Sequence, residues 1–268
     1  MNVVPNITIL LLNVIESQKL RIMITDPRFN RLRLLLGDET LSQVMQKRVI
    51  IFGVGGVGSW CAESLVRSGI SHITLVDADK VCITNINRQL LATSSTIDGV
   101  KVEVMKRRLL DINPNAQVTT IEMRYDASTA EQFNLNEYDY VIDAIDSLAD
   151  KALLILNACK SSTTLYASMG AALKTDSSRI STAEFWKVQG CPLAAALRRR
   201  FKRSGHLPSR KFRCVYSDEV FPNRGEAIDT DDSMTFNKVA TNGTLSHTTA
   251  IFGLKLAELV INDIIKKQ

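Results

Sequence analysis

No two cysteines of this 268-residue chain stand as a C-x-x-C pair. The five, Cys61, Cys82, Cys159, Cys191 and Cys214, lie far apart and are odd in number. That spacing argues against a zinc ribbon or a disulfide framework and fits a reducing cytoplasm. No apolar run is long enough to span a bilayer. Residues 3–15 (VVPNITILLLNVI) are apolar but too short, and they lack a basic n-region and a small-residue cleavage site. They are expected as a peripheral helix or strand, and translation from Met23 would omit them. Internal repeats and low-complexity linkers are also absent, so solenoid and linker architectures are excluded. The charge balance is only mildly basic, +5 with a pI near 9.0, so the placement of the cations matters more than their number. An apolar content of 45% and a charged content of 23% belong to an ordinary globular chain, long enough for a substantial core.

What is present is an alternation of short apolar strands and helical patterns. Helices are expected over residues 31–46, 57–67, 99–111 and 149–159, and strands over 48–52, 72–76, 117–122, 138–142 and 163–167. The spacing predicts an α/β fold: a Rossmann-like, doubly wound, mostly parallel sheet with right-handed crossovers. Beyond it the pattern changes. Residues 179–188 alternate as an antiparallel strand would, 192–203 read as a helix, 211–216 as a strand, 217–233 as a loop and 245–266 as a long helix. The expected organisation is an N-terminal extension (1–27), a nucleotide-binding core (28–175) and a C-terminal antiparallel and helical extension (176–268).

The stretch GVGGVG, with Gly53, Gly55, Gly56 and Gly58, links an apolar strand to a helix. Glycines there permit a tight turn and close backbone approach to phosphate, which then meets the positive end of the helix. Asp77 ends the next strand, where a carboxylate accepts from a ribose hydroxyl. NAD and ATP satisfy these features equally. The following residues favour ATP. Attack on an α-phosphate builds charge on phosphorus and on the departing pyrophosphate, which fixed cations must meet. Asn85 and Arg88, three apart, share a face of a helical turn. Lys101 opens the next helix and reaches toward the same phosphates. Asp146 follows the fourth strand as a lone carboxylate, which suits Mg²⁺.

The runs GVGGVGSW, LVDADKV, TNINRQ, GVK and VIDAIDS resemble the ThiF/MoeB superfamily of ATP-dependent adenylyltransferases related to ubiquitin-activating enzymes. VCITNINRQ, KVEVMKRR, CPLA and VYSDE are similar to its tRNA threonylcarbamoyladenosine dehydratase branch. The resemblance implies that the four glycines wrap ATP with Asp77 on the ribose. It implies further that Asn85, Arg88, Gln89 and Lys101 contact the phosphates, that Asp79 lies near them and that Asp146 holds Mg²⁺. Arg31 matches an arginine donated into the neighbouring subunit's site, which implies a homodimer. Branches that activate a sulfur-carrier protein commonly hold zinc on two C-x-x-C pairs, which this chain lacks. Cys191 and Cys214 stand well before the last helix, so no covalent thioester step is expected, and Cys214 reads as a buried strand residue.

Residues 198–213 read RRRFKRSGHLPSRKFR: half are Lys or Arg and none is acidic. Arg198, Arg199, Arg200, Lys202, Arg203, Arg210, Lys211 and Arg213, interleaved with Phe201 and Phe212, fit RNA, with cations on phosphates and aromatic stacking. His206 reads as a loop residue of this patch and His247 as a helix-start residue. The expected activity is ATP-dependent dehydration, by cyclisation, of threonylcarbamoyladenosine in tRNA through an activated carboxylate. Two alternatives stand beside it: an adenylyltransferase acting on the C-terminus of a ubiquitin-like or sulfur-carrier protein, and an NAD-dependent dehydrogenase. A sulfur-relay or other protein partner is compatible with the first reading.

Overall fold

Four of the five residues of β1 (Arg48–Phe52) are wholly buried, and they alternate between two cores. Val49 and Ile51 face one core with Cys61, Met105 and Phe252, whereas Ile50 and Phe52 face the other with Ile155, Leu197 and Phe201. A strand covered on both sides reads as an unbroken apolar run, which is why RVIIF shows no alternation. The computed structural model describes residues 23–226 and 242–267. The apolar segment 3–15 and the end of the expected 217–233 loop lie outside them.

The remaining strands are β2 (His72–Val76), β3 (Gln117–Ile121), β4 (Tyr140–Asp143), β5 (Thr164–Ser168), β6 (Ile180–Glu184) and β7 (Arg213–Ser217). They form one seven-stranded sheet in the order β3-β2-β1-β4-β5-β7-β6. Every neighbouring pair is parallel except β6 with β7. The helices are α1 (Asn30–Gln46), α2 (Gly58–Arg67), α3 (Lys101–Ile112), α4 (Leu148–Lys160), α5 (Pro192–Ser204) and α6 (Ser246–Lys266). Helices α2, α3 and α6 cover the first core, and α4 and α5 cover the second. This is the doubly wound α/β fold the spacing predicts.

Three details differ from expectation. The strand expected over 179–188 ends at Glu184, because Phe185 is buried in the second core and the chain turns into a 3-10 helix (Phe185–Lys187). The antiparallel extension is confined to β6, while β7 lies parallel to β5 and continues the main sheet. Helix α1 is broken at Gly37, whose φ of +76° suits a residue without Cβ. The beginning of the expected 217–233 loop is also fixed. The Glu219 carboxylate accepts from the Thr175 and Asp176 N–H groups, each at 2.9 Å, and from the Thr175 hydroxyl at 2.7 Å.

Candidate nucleotide-binding site

The strand order reverses between β1 and β4, which opens a crevice at their carboxyl ends, where open α/β sheets bind ligands. The glycine turn after β1 and the loop after β4 flank it. Gly53 has φ +88°, and a Cβ there would meet the Ala144 carbonyl oxygen at 2.7 Å. A Cβ on Gly58 would come within 1.8 Å of the Gly53 carbonyl oxygen. The two loops therefore pack backbone on backbone, and α2 starts inside the turn with its positive end at the crevice. Gly55 and Gly56 are bordered by Gln89 and Thr249, whose side chains lie 3.6 and 3.1 Å from the corresponding Cβ positions.

Asp77 is tied to this turn rather than pointing away from it. Its Oδ2 accepts from the Val54 N–H at 2.7 Å, and its Oδ1 accepts from the Asp79 N–H at 2.9 Å. Burial pushes the carboxyl up, and the Lys101 charge pulls against that. A carboxylate has lone pairs beyond those two bonds, so a ribose hydroxyl remains acceptable. Lys101 is buried at the first turn of α3, and its Nζ donates to Asp79 Oδ2 at 2.7 Å. The lysine is thereby presented at the crevice wall by an acid that is itself exposed.

Asn85 is the hub of a short turn. Its carbonyl oxygen accepts from the N–H groups of Arg88 and Gln89, and its side-chain oxygen accepts from the Cys82 N–H at 3.1 Å. Arg88 is held by two bonds, to the Thr84 carbonyl at 2.7 Å and to Asn87 Oδ1 at 2.9 Å. Burial lowers the pKa of its guanidinium, and the Asp146 charge opposes that. Arg88 and Asp146, 58 positions apart in the sequence, are thus near enough for their charges to interact. Gln89 is buried beside Gly55, and its Oε1 has no hydrogen-bond partner among the described residues. A buried amide oxygen without a described partner next to a glycine cradle fits a polar ligand in the turn. Among the described residues no three His, Cys, Asp or Glu side chains cluster as a metal cage. Asp146 is suited only to a metal that takes most of its ligands from elsewhere, as Mg²⁺ on a phosphate chain does.

Arg31 is not gathered with these groups. It is exposed on the first turn of α1, and no hydrogen bond or ion pair among the described residues joins it to the crevice.

A model of the ThiF family matches residues 29–268. The chain belongs to the ThiF family. The tRNA threonylcarbamoyladenosine dehydratase of Haemophilus influenzae is 36% identical over 250 residues, 91% of this chain and 95% of that protein. The enzyme of the same name from Bacillus subtilis is 42% identical over 192 residues, 72% of this chain and 75% of its own length. Among solved structures, Escherichia coli tRNA N6-threonylcarbamoyladenosine dehydratase in complex with ATP superposes with a TM-score of 0.80 at 33% identity. That match covers 91% of this chain and 97% of the other.

Some residues that shape this ThiF crevice escape a reading of the sequence. Asp143, at the end of β4, accepts on Oδ1 from Lys151 Nζ at 2.7 Å and from the Ile145 N–H at 3.1 Å, and both charged side chains are wholly buried. The pair pins the loop that carries Asp146. Lys151 left one signal: it falls on the same stripe of α4 as Ile155 and Ala158, where an apolar residue is expected. Thr249 of α6 donates to the Arg88 carbonyl at 3.1 Å while bordering Gly56, so the last helix buttresses both the turn and the arginine.

The structure divides the basic run of this ThiF chain. Arg198 donates to the Phe185 carbonyl at 3.2 Å and lies over the Phe185 ring. Arg210 donates to the carbonyls of Ala158 and Thr163, closing the end of α4. Arg213 donates to Thr182 Oγ1 at 2.8 Å across β6 and β7. Phe201 and Phe212 are buried in the second core with Phe185, so the aromatic stacking expected of them is unavailable. Arg199, Arg200, Lys202, Arg203 and Lys211 are exposed. His206 is exposed beyond α5, and His247 stands in the first turn of α6 with Nε2 3.1 Å from the Thr175 carbonyl. Cys214 is buried in β7, where burial pushes its thiol up to about 12 and makes it a poor nucleophile.

Proposed function

We propose that this protein is an ATP-dependent tRNA threonylcarbamoyladenosine dehydratase. The observation that carries the reading is the glycine turn, packed at Gly53 against the loop that bears Asp146 and bordered at Gly56 by the Arg88 carbonyl, with the Arg88 side chain fixed by two hydrogen bonds. It is supported by similarity over nearly the whole chain to proteins of that name, one of them an ATP complex. Gly53, Gly55, Gly56 and Gly58 wrap the nucleotide and Asp77 takes the ribose. Asn85, Arg88, Gln89 and Lys101 meet the phosphates, with Asp79 orienting Lys101. Asp146 holds Mg²⁺, which when bound would neutralise charge on the pyrophosphate.

The chemistry has two steps. A carboxylate oxygen of the threonylcarbamoyl group attacks the α-phosphorus of ATP, and the bond to pyrophosphate breaks, leaving an acyl-adenylate. A nitrogen or oxygen of the same side chain then attacks the acyl carbon, loses its proton and expels AMP, closing a ring. The base has lost the elements of water. Arg88, held by two hydrogen bonds, meets the charge without reorganising. The second step is intramolecular, so proximity supplies much of the acceleration and no covalent nucleophile is required. The carrier-activating and hydride-transfer readings have weaker support, since relatives matched over most of the chain bear the dehydratase name.

In this reading the protein is a cytoplasmic homodimer whose Arg31 enters the partner's site. Leu34 and Leu35, three and four residues beyond it, are each 79% exposed, as an apolar contact surface would be before pairing. The test is incubation with ATP, Mg²⁺ and tRNA carrying threonylcarbamoyladenosine, followed by mass spectrometry of the released nucleoside. A mass lower by one water, abolished in Asp146→Ala, is expected. An unchanged nucleoside despite ATP binding would overturn the substrate assignment.

A further inference from the structure

Helices α4 and α5 lie side by side over the second core and run in the same direction. At one end a Cβ on Gly170, just past β5, would be 3.7 Å from Leu193 Cβ, in the first turn of α5. At the other end Ser209 and Arg210, beyond α5, donate to the carbonyls of Cys159 and Ala158 near the end of α4. Between the two helices is an open groove of about 570 Å³. It begins at Leu148, two residues after Asp146, and reaches His206 beyond the end of α5. Its α4 wall is apolar, including the half-buried Leu153 and Leu156. Its α5 wall carries Arg199, Arg200 and Arg203, and no acidic residue lines it. These arginines share one exposed face at i, i+1 and i+4, and the structure commits none of them to an ion pair among the described residues.

We infer that this groove is a track for single-stranded RNA that holds the nucleotides flanking the modified adenosine. This rests on the dehydratase reading above. A nucleotide whose side chain reacts near Asp146 is covalently continuous with its neighbours, and the groove's lining starts at Leu148, two residues along the chain from Asp146. Bases lie against the apolar wall of α4, and phosphates lie on the arginines of α5. From Leu148 to Leu156 the groove extends about 12 Å at ~1.5 Å per helical residue. That accommodates about three stacked nucleotides at ~3.4 Å each. An acidic protein segment would satisfy the charges, but nothing would require it to start beside the reacting group.

The test compares wild type with Arg199→Ala/Arg203→Ala and with Ala196→Trp, which fills the groove from α5. Arg107→Ala, on α3 across the sheet, is the control for lost charge. Each is assayed for KM toward threonylcarbamoyladenosine-bearing tRNA, for KM toward ATP, and for tRNA affinity across a salt series. In the double variant the KM for tRNA should rise at least tenfold. The log–log salt slope should fall by about 1.4, two contacts at ~0.7 each for a single strand, with KM for ATP unchanged. Ala196→Trp should raise KM for tRNA alike, and Arg107→Ala should leave it unchanged. Wild-type values for tRNA in both groove variants would overturn the track while leaving the dehydratase reading intact. So would an equal loss in Arg107→Ala, or loss of self-association in Ala196→Trp. Tight ATP binding without conversion of the modified tRNA by wild type would overturn both. Displacement of bound tRNA from the wild type by an acidic peptide but not by oligouridylate would assign the groove to a protein partner instead.

Discussion

Gly58 has the least latitude of the described glycines, since a Cβ there would sit 1.8 Å from the Gly53 carbonyl oxygen. Backbone, unlike the end of a flexible side chain, cannot swing aside. Gly58→Ala must therefore move the turn or the start of α2, and overpacking of this kind costs about 1–3 kcal/mol. The expected outcome is a lower melting temperature together with loss of the stabilisation that ATP confers on wild type. Thermal melts with and without ATP measure both. Lys151 is the second sensitive point. Burial pushes the Asp143 carboxyl up and the Lys151 ammonium pulls it back, so the two charges tolerate one another only as a pair. Lys151→Met leaves a buried carboxylate facing apolar groups and should cost about 3–5 kcal/mol in urea unfolding. Asp143→Asn added to Lys151→Met removes the orphaned charge and keeps an acceptor for the Ile145 N–H, so most of that loss should return. A double variant no more stable than Lys151→Met would show that the charge is not what matters.

The elements depend on contacts that join distant segments, and Glu219 illustrates this beyond β7. Hydrogen bonds from the Asp176 N–H and from the Thr175 hydroxyl and N–H hold its carboxyl at about 2, below the usual 4.5. A carboxyl lowered on folding contributes stability that is complete above its unfolded value and lost as pH falls toward the folded one. Acid titration of unfolding should therefore show a shallower slope between pH 4.5 and about 2 in Glu219→Gln than in wild type. Identical slopes would sink the assignment. Legibility follows the same line. β1, β2 and the glycine turn are readable because burial on both faces and backbone crowding leave local marks. Lys101 and Asp146 can be placed near the carboxyl edge because one opens α3 and the other follows β4 by three residues, whereas Arg88 lies within a polar connection that no periodicity marks. Gly253 is not, although a Cβ there would meet the Val57 carbonyl oxygen at 2.4 Å, because the crowding comes from α2, nearly 200 residues earlier. The inward use of Arg198 and Arg210 is hidden for the same reason: their acceptors, the carbonyls of Phe185, Ala158 and Thr163, belong to other segments.

At the scale of the whole molecule the open matter is where Arg31 acts. Within one chain it is exposed on α1, apart from the crevice, beside the exposed Leu34 and Leu35. If each site in a dimer takes Arg31 from the partner and Asp146 from its own chain, the two defects are separable. Arg31→Ala and Asp146→Ala homodimers should each be inactive. In a heterodimer of the two, one site lacks both residues, and the other has its own Asp146 and receives an intact Arg31. Random reassortment makes half the dimers mixed, and one site in two of those is intact, so dehydration should recover to about a quarter of the wild-type rate per site. Co-refolding equal amounts of the two inactive variants and assaying the modified tRNA tests this directly. No recovery, with mixed dimers verified by mass, would place Arg31 in its own subunit's chemistry or outside the chemistry altogether. Recovery to a quarter would make the dimer the smallest active unit, because neither chain alone then holds a complete set of charges around the α-phosphate.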